Sequence, residues 1–399
     1  MLSYANASRV VREHADRLAP QGSPQSMGLL DSLNRVLAEP VYADRDQPPF
    51  PRSTRDGFAC RAHELAAGRA LCVTGLIRAG DPQPTEAIPG KSIEIMTGAA
   101  VPVGADCVVM LEHVEREGDT IRLSPSRSIA PGDHIIPKGA EARERDVILP
   151  KGARIGPAQI AAAAACGAAQ VVVFPQPRVA IVATGDELVE VEQQPLAHQI
   201  RNSNSYSLAA QVSVAGALAL RFPTARDEKT HLEALIRAAL DSDLLLLSGG
   251  VSMGKYDLVE EVLLSLGAEF FFTGASIQPG KPIVFGKLAG IYFFGLPGNP
   301  VSTMVTFSLF VRPLLDALSG DTCRGPLFAL AQLGRDVRVK SGLTRFLPAL
   351  LRDLTVDPVA WQGSGDLAGT SRANCFLVVP EDRESLTAGE TVKILLASS

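Results

Sequence analysis

The chain has 399 residues, 46% hydrophobic and 20% charged, with a formal net charge of −5 at pH 7. That length exceeds one compact core, so two to four domains of about 100–200 residues each are expected, and the composition is that of globular material rather than a disordered chain. The acidic balance, with no basic run of five residues, argues against a nucleic-acid binder, and apolar runs far shorter than about 18 residues give no membrane span.

The first segment, "MLSYANASRVVREHADRLAP", lacks the apolar core of a signal peptide. It reads as an amphipathic helix with Val10, Val11, His14 and Leu18 on one face. "LLDSLNRVLAEP" reads as a second helix, stopped by Pro40. From about 41 to 147, short apolar runs such as "ALCVTGLI", "SIEIMTG" and "DCVVMLEHVE" alternate with Gly, Pro and Asp turns, the texture of a β-rich domain. "GPAQIAAAAACGAAQVVVFPQP" gives a small-residue helix and then a strand. From 177 to 322, "RVAIVAT", "DLLLLS" and "GIYFFGLPG" read as strands. They alternate with helices in "SYSLAAQVSVAGA", "THLEALIRAAL", "DLVEEVLLSLG" and "VSTMVTFSLFVRPLLDAL". That alternation predicts a parallel, doubly wound sheet. The remainder returns to short strands and turns, a small β-domain or barrel. The six cysteines and six histidines are scattered, without C-x-x-C or H-E-x-x-H spacing. This argues against a disulfide framework or a zinc site and suggests buried small hydrophobes in a reducing cytoplasm.

Ligands of open parallel sheets bind beyond the carboxyl ends of the strands. Three such ends carry small residues: "ATGDELV", "LSGGVSMGKYD" and "LPGNPVS". Glycines let backbone N–H groups approach an anion, and helix N-termini attract phosphate. Each loop alone fits a tight turn as well as a binding loop; three together favour a phosphate-bearing ligand. Asp186, Glu187, Asp227 and Asp257 lie in or near these loops, where they would repel phosphate without an intervening cation such as Mg²⁺. The alternative is that Asp186, Asp227 or Asp257 caps a helix. Lys281 in "QPGKP" sits where its stem is not needed for packing, which favours a role on an anion.

Together "RSTRDGFA", "IMTGAAVPVGADCVVMLE", "PGDHIIPKGAEARERDVILPKGARIGP", "VAIVATGDELV", "IRNSNSYSL", "LSGGVSMGKYD", "QPGKP", "LPGNPVS" and "QGSGDL" with "ANCFLVVP" resemble the molybdopterin molybdenumtransferase family, the bacterial MoeA type and the gephyrin E-domain. The resemblance implies an α/β multidomain fold with four domains. These are a discontinuous helical linker domain (1–44 with 148–176), a β-rich inserted domain (45–147), a molybdopterin-binding-like α/β catalytic domain (177–322) and a C-terminal β-barrel (323–399). It implies a cytoplasmic homodimer that takes adenylylated molybdopterin, supplied by the molybdopterin adenylyltransferase, together with molybdate. Mg²⁺ would be required, AMP would leave, and neither nucleic acid nor membrane would be a partner. The same resemblance implies catalytic acids at Asp56, Glu187, Asp227 and Asp257, with Asp227 and Asp257 on the metal. Substrate would meet Thr97, Thr184, Gly249, Gly250, Ser252, Pro297, Gly298 and Asn299; molybdate would meet Lys281, Ser364 and Arg345.

Three positions depart from the family pattern. Many relatives have a lysine where this chain has Gln278. Many read "GR" where it has "GLTRF", with Arg345 two positions later. Lys255 stands where an acid is common. A non-catalytic scaffold, and an enzyme for tungstate rather than molybdate, are alternatives that sequence leaves open.

Overall fold

The computed structural model describes residues 1–82, 89–250 and 258–397. They fall into two compact units. One comprises Met1–Glu39, Lys151–Pro157 and Gln170–Ser399; the other comprises Pro40–Pro150 and Ala158–Ala169.

The first unit is built on a six-stranded sheet. Its strands are β1 (Arg178–Ala183), β2 (Leu218–Arg221), β3 (Leu244–Ser248), β4 (Glu269–Thr273), β5 (Val284–Leu288) and β6 (Ile291–Leu296). Their order is β2-β1-β3-β6-β5-β4. The run β2-β1-β3-β6 is parallel, as expected, whereas β5 and β4 are antiparallel additions at one edge. Sequence reading did not anticipate those two strands, because "EFFFT" and "VFGKL" carry no intervening helix signal.

The leucine run in β3 follows from burial on both faces. Leu244 and Leu246 join Val179, Ile181, Leu208 and Val212 in one core, while Leu245 and Leu247 join Ala180, Val182, Leu232, Ile236 and Val259 in the other. Successive strand side chains point to opposite faces, so a strand covered by helices on both sides is apolar at every position. Each fully buried leucine contributes about 1.5–3 kcal/mol of transfer free energy.

The helix Tyr4–Ala15 forms as predicted and lays Ala7, Val11 and Ala15 onto the first of these cores, with Val10 and Leu18 alongside. The second predicted helix does not form. Leu30–Ser32 makes a single 3-10 turn, Asn34 takes φ 64°, and Val36 and Leu37 bridge to Arg154 and Val173. A helix over 29–40 would have to bury Leu30 and Leu33, yet both are exposed, while the consecutive Val36, Leu37 and Ala38 are buried.

Pro300–Leu318 is one continuous helical stretch with a π-turn at Phe307–Val311. Contrary to the expectation from run length, it is long and apolar enough to cross a membrane; 83% of its apolar window, however, is buried inside the protein. It is the helix on which the first core converges. Phe328–Leu333, Thr344–Arg352, Thr355–Pro358, Cys375–Val379 and Thr391–Leu396 close into a five-stranded barrel.

The second unit holds a six-stranded, mostly antiparallel sheet in which Gly57–Cys60 lies between the edge strand Cys107–Met110 and Lys91–Ile95. Cys60, Cys107, Cys166 and Cys375 are buried free thiols, but Cys72 and Cys323 are exposed, against the uniform burial expected.

Candidate active site

Strand order reverses at β1: β2 lies on one side of it and β3 on the other. Such a switch opens a crevice beyond the strand ends. Here the crevice is a cavity of about 710 Å³, lined by Thr184, Gly185 and Glu187 after β1, Asp227 after β2, Gly249 and Gly250 after β3, and Pro297–Asn299 after β6. Eight of the residues assigned from the sequence thus share one cavity. A second cavity of about 330 Å³ shares Thr184, Glu187, Ile200, Gly249, Gly298 and Asn299 with the first and adds Asn202, Asn204 and Ser248.

The glycine turn is fixed by sterics. Gly249 has φ +93°, and a Cβ there would stand 2.4 Å from the Thr184 carbonyl oxygen. Gly250 has φ +64°, and its Cβ would meet the Val259 and Thr184 methyls at 2.8 and 3.0 Å. Gly298 differs: its Cβ would only touch Gly249 Cα at an ordinary 3.6 Å. Gly249→Ala is therefore expected to lower stability by about 1–3 kcal/mol. Gly298→Ala should leave the melting temperature nearly unchanged. Thermal melts of the two variants check the contrast.

Asp227 is not a helix cap. The helix Lys229–Ala239 begins at Glu228 without a side-chain cap bond. Asp227 instead turns back to the β1 loop: Thr184 Oγ1 donates to its Oδ1 at 2.9 Å, and the Asp186 N–H donates to its Oδ2 at 3.4 Å. In return the Asp227 N–H donates to Asp186 Oδ1 at 3.1 Å. Asp186 does not cap a helix either, since the loop after β1 runs into the short strand Leu188–Val189. Glu187 folds its carboxylate over Gly185. Glu261 also lines the larger cavity, paired with Lys229 at 2.9 Å; in sequence it looks like an ordinary acid in the first turn of a helix.

Among the described residues, no group of three or more His, Cys, Asp or Glu side chains could hold a metal. The cavity offers the carboxylates Glu187 and Asp227 together with a glycine turn suited to an anion. That donor set is unlike an all-protein cage. It suits Mg²⁺, which is commonly held by one or two carboxylates plus substrate phosphates and water. Asp257, Ser252 and Lys255 lie outside the described residues.

In the second unit Asp56 and Thr97 are brought together. Thr97 donates from its N–H at 2.7 Å and from Oγ1 at 2.9 Å, both to Asp56 Oδ1. These bonds hold the exposed Asp56 carboxyl below its ordinary range.

Comparison with known proteins places the chain. Residues 2–167 match the model of the MoeA N-terminal region (domain I and II), 180–317 that of a probable molybdopterin binding domain, and 331–397 that of the MoeA C-terminal region (domain IV). The molybdopterin molybdenumtransferase of Bacillus subtilis (strain 168) is 35% identical over 388 residues, 94% of this chain and 90% of that one. The chain belongs to the molybdopterin molybdenumtransferase family. The Haemophilus influenzae member is 34% identical, with 92% of each chain covered. The molybdopterin biosynthesis MoeA protein of Pyrococcus horikoshii OT3 has the same architecture, with a TM-score of 0.80 at 29% identity over 99% of this chain and 100% of that one. As a member of the family, the chain is a transferase of molybdenum cofactor biosynthesis.

The residues that the family pattern assigns to the oxyanion do not line the larger cavity, although Pro282, next to Lys281, does. Lys281 is exposed. Ser364 is tied in through its backbone: the Val301 N–H, at the start of the long helix, donates to the Ser364 carbonyl at 3.0 Å. Neighbouring Gly365 lines the smaller cavity. The departure at Gln278 has a structural counterpart. The two-residue strand Ile277–Gln278 pairs in parallel with Thr344–Arg345, and Gln278 is the register partner of Arg345. A guanidinium thus stands on the strand beside the position where many family members carry a lysine. Arg345 Nε and Nη2 donate to the Lys340 carbonyl at 3.0 and 2.7 Å, leaving its Nη1 edge for another acceptor.

Proposed function

We propose that this chain inserts molybdate into adenylylated molybdopterin in a Mg²⁺-dependent reaction that releases AMP, and that it works as a cytoplasmic homodimer supplied by the molybdopterin adenylyltransferase. The observation that carries the reading is the cavity at the switch point, where the carboxylates of Asp227 and Glu187 meet a sterically obligate glycine turn. A pyrophosphate bridge needs both features. The Gly250 N–H of the turn takes up one of its oxygens, the Gly249 N–H being bonded to the Leu296 carbonyl at 3.2 Å, and a divalent cation held by Asp227, Glu187 and Asp257 offsets the repulsion between phosphate and carboxylate. Mg²⁺ supplies charge neutralisation on the phosphates when bound. The protein's own part is to orient the adenylyl phosphate over the glycine turn and to hold the oxyanion with Lys281, Ser364 and Arg345.

The test is incubation of purified protein with adenylylated molybdopterin, Mg²⁺ and molybdate. The expected result is stoichiometric AMP and a cofactor that reconstitutes an apo-molybdoenzyme. Absence of both products would overturn the assignment and leave the scaffold reading. Competition between molybdate and tungstate at limiting concentration ranks the two oxyanions.

Arg345 gives a separate prediction. Arg345→Ala is expected to raise the molybdate concentration for half-maximal rate about tenfold or more, the typical weight of a charge-assisted contact. Adding Gln278→Lys to that variant should recover much of the loss, because the new ammonium would arise on the adjacent strand position. A titration of initial rate against molybdate reads both effects.

A further inference from the structure

In the motif "IRNSNS" the two asparagines do different things. Asn202 caps the helix Ser203–Val214: its Oδ1 accepts from the Ser205 N–H at 3.1 Å, and its Nδ2 donates to Thr224 Oγ1 at 3.1 Å. Asn204 lies inside the first turn, which Asn202 already caps. Its Nδ2 donates to Ser248 Oγ at 3.0 Å and to the Gly298 carbonyl at 2.7 Å. Ser248 is the last residue of β3, immediately before Gly249, and Gly298 is the centre of the turn after β6. One amide group therefore joins the bases of two turns that line the cavity.

The orientation of that amide is determined by chemistry. A carbonyl oxygen only accepts, so the nitrogen must face Gly298. The consequence is that Asn204 Oδ1 is buried with no hydrogen-bond partner among the described residues. An unpaired buried acceptor is destabilising and calls for an explanation. A side chain chosen for stability would not leave one. Only asparagine combines two N–H donors with a stem of this length: aspartate has no donor, serine has one, and glutamine is a methylene longer. We infer that Asn204 is a positioning residue that fixes the spacing between the Gly249–Gly250 turn and the Pro297–Asn299 turn, and through it the seating of the substrate phosphate. This inference rests on the functional reading above.

Asn204→Ala, Ser248→Ala and the double variant test it. Amide hydrogen exchange of residues 249–250 and 298–299, without substrate, is expected to accelerate about tenfold in both turns together in Asn204→Ala. The melting temperature should stay within about 3 °C of the parent, since an unpaired acceptor is removed along with the two bonds. Turnover should fall about 30- to 100-fold with KM for the adenylylated substrate within threefold, as expected for misplacement of a bound substrate. Ser248→Ala should show a smaller loss, and the double variant should match Asn204→Ala, because both substitutions break the same bridge. Unchanged exchange in the two turns, or losses that multiply in the double variant, would overturn the inference. The exchange measurement needs no turnover. A wild-type protein that releases no AMP while its Asn204→Ala variant loosens both turns would therefore count against the proposed reaction and not against the positioning role.

Discussion

In the proposed reaction, Asp227→Asn is expected to reduce AMP release by about 10²- to 10³-fold while leaving the fold intact. Removing one preorganised charge from a site of this kind typically costs that much. The side chain is exposed and contributes no apolar burial, so its replacement changes little in the core. Thr184 Oγ1 can still donate to the amide oxygen of asparagine, and only the long 3.4 Å bond from the Asp186 N–H is lost. What disappears is the negative charge facing the cavity, and with it half of the carboxylate pair formed with Glu187. Two measurements separate this from a folding defect. The melting temperature of the variant should lie within a few degrees of the parent. The Mg²⁺ dependence of nucleotide binding should be lost or shifted to much higher Mg²⁺, whereas nucleotide affinity without Mg²⁺ should be unchanged or improved, because a like charge has been removed from beside the phosphate. A variant with near-parental turnover would show that Asp227 organises the loop through Thr184 and Asp186 and does not handle the metal.

Much of this site was legible in the sequence because its parts are strand-end loops. An apolar run that stops at glycines marks both the end of a buried strand and a backbone free to take positive φ. The loops after β1, β3 and β6 are therefore assignable to one crevice from sequence alone. Other features were not legible, for reasons that are equally physical. The antiparallel strands β4 and β5 lack a connecting helix, so their pattern did not separate them from loop. The segment 29–40 carries leucines at helical spacing, but tertiary bridges to Arg154 and Val173 prevail over that local preference. The pairing of Gln278 with Arg345 depends on a strand register across 67 residues, which no local pattern encodes. Asn204 stands two residues after Asn202 in chain order, and only its partners distinguish a brace from a cap.

The largest stability effect is expected at Arg154, in "KGARIGP". Its guanidinium is the hub of a buried network. Nε donates to Asp321 Oδ2 at 2.7 Å, Nη2 to Asp316 Oδ1 at 3.0 Å, and Nη1 to the carbonyls of Asn34 and Ala215 at 3.1 and 3.0 Å. Arg312 joins through a 2.7 Å bond to Asp316. The two aspartates are almost wholly buried, with side chains 2% and 4% exposed. Exposed ion pairs contribute little, but breaking a buried one leaves an uncompensated charge. Arg154→Met, similar in bulk and without charge, is therefore expected to destabilise the fold by about 3–5 kcal/mol. The pH dependence distinguishes this mechanism from lost packing. Burial raises the Asp316 carboxyl above its ordinary range, while Arg312 and Arg154 pull it back down. Without Arg154 the carboxyl rises further. A carboxyl raised in the folded state adds stability below its unfolded value, and that stability is lost as pH climbs through the folded value. The deficit of Arg154→Met should consequently be smallest near pH 4 and grow toward neutral pH. Urea melts of parent and variant across that range would show it; a deficit independent of pH would assign the loss to packing alone.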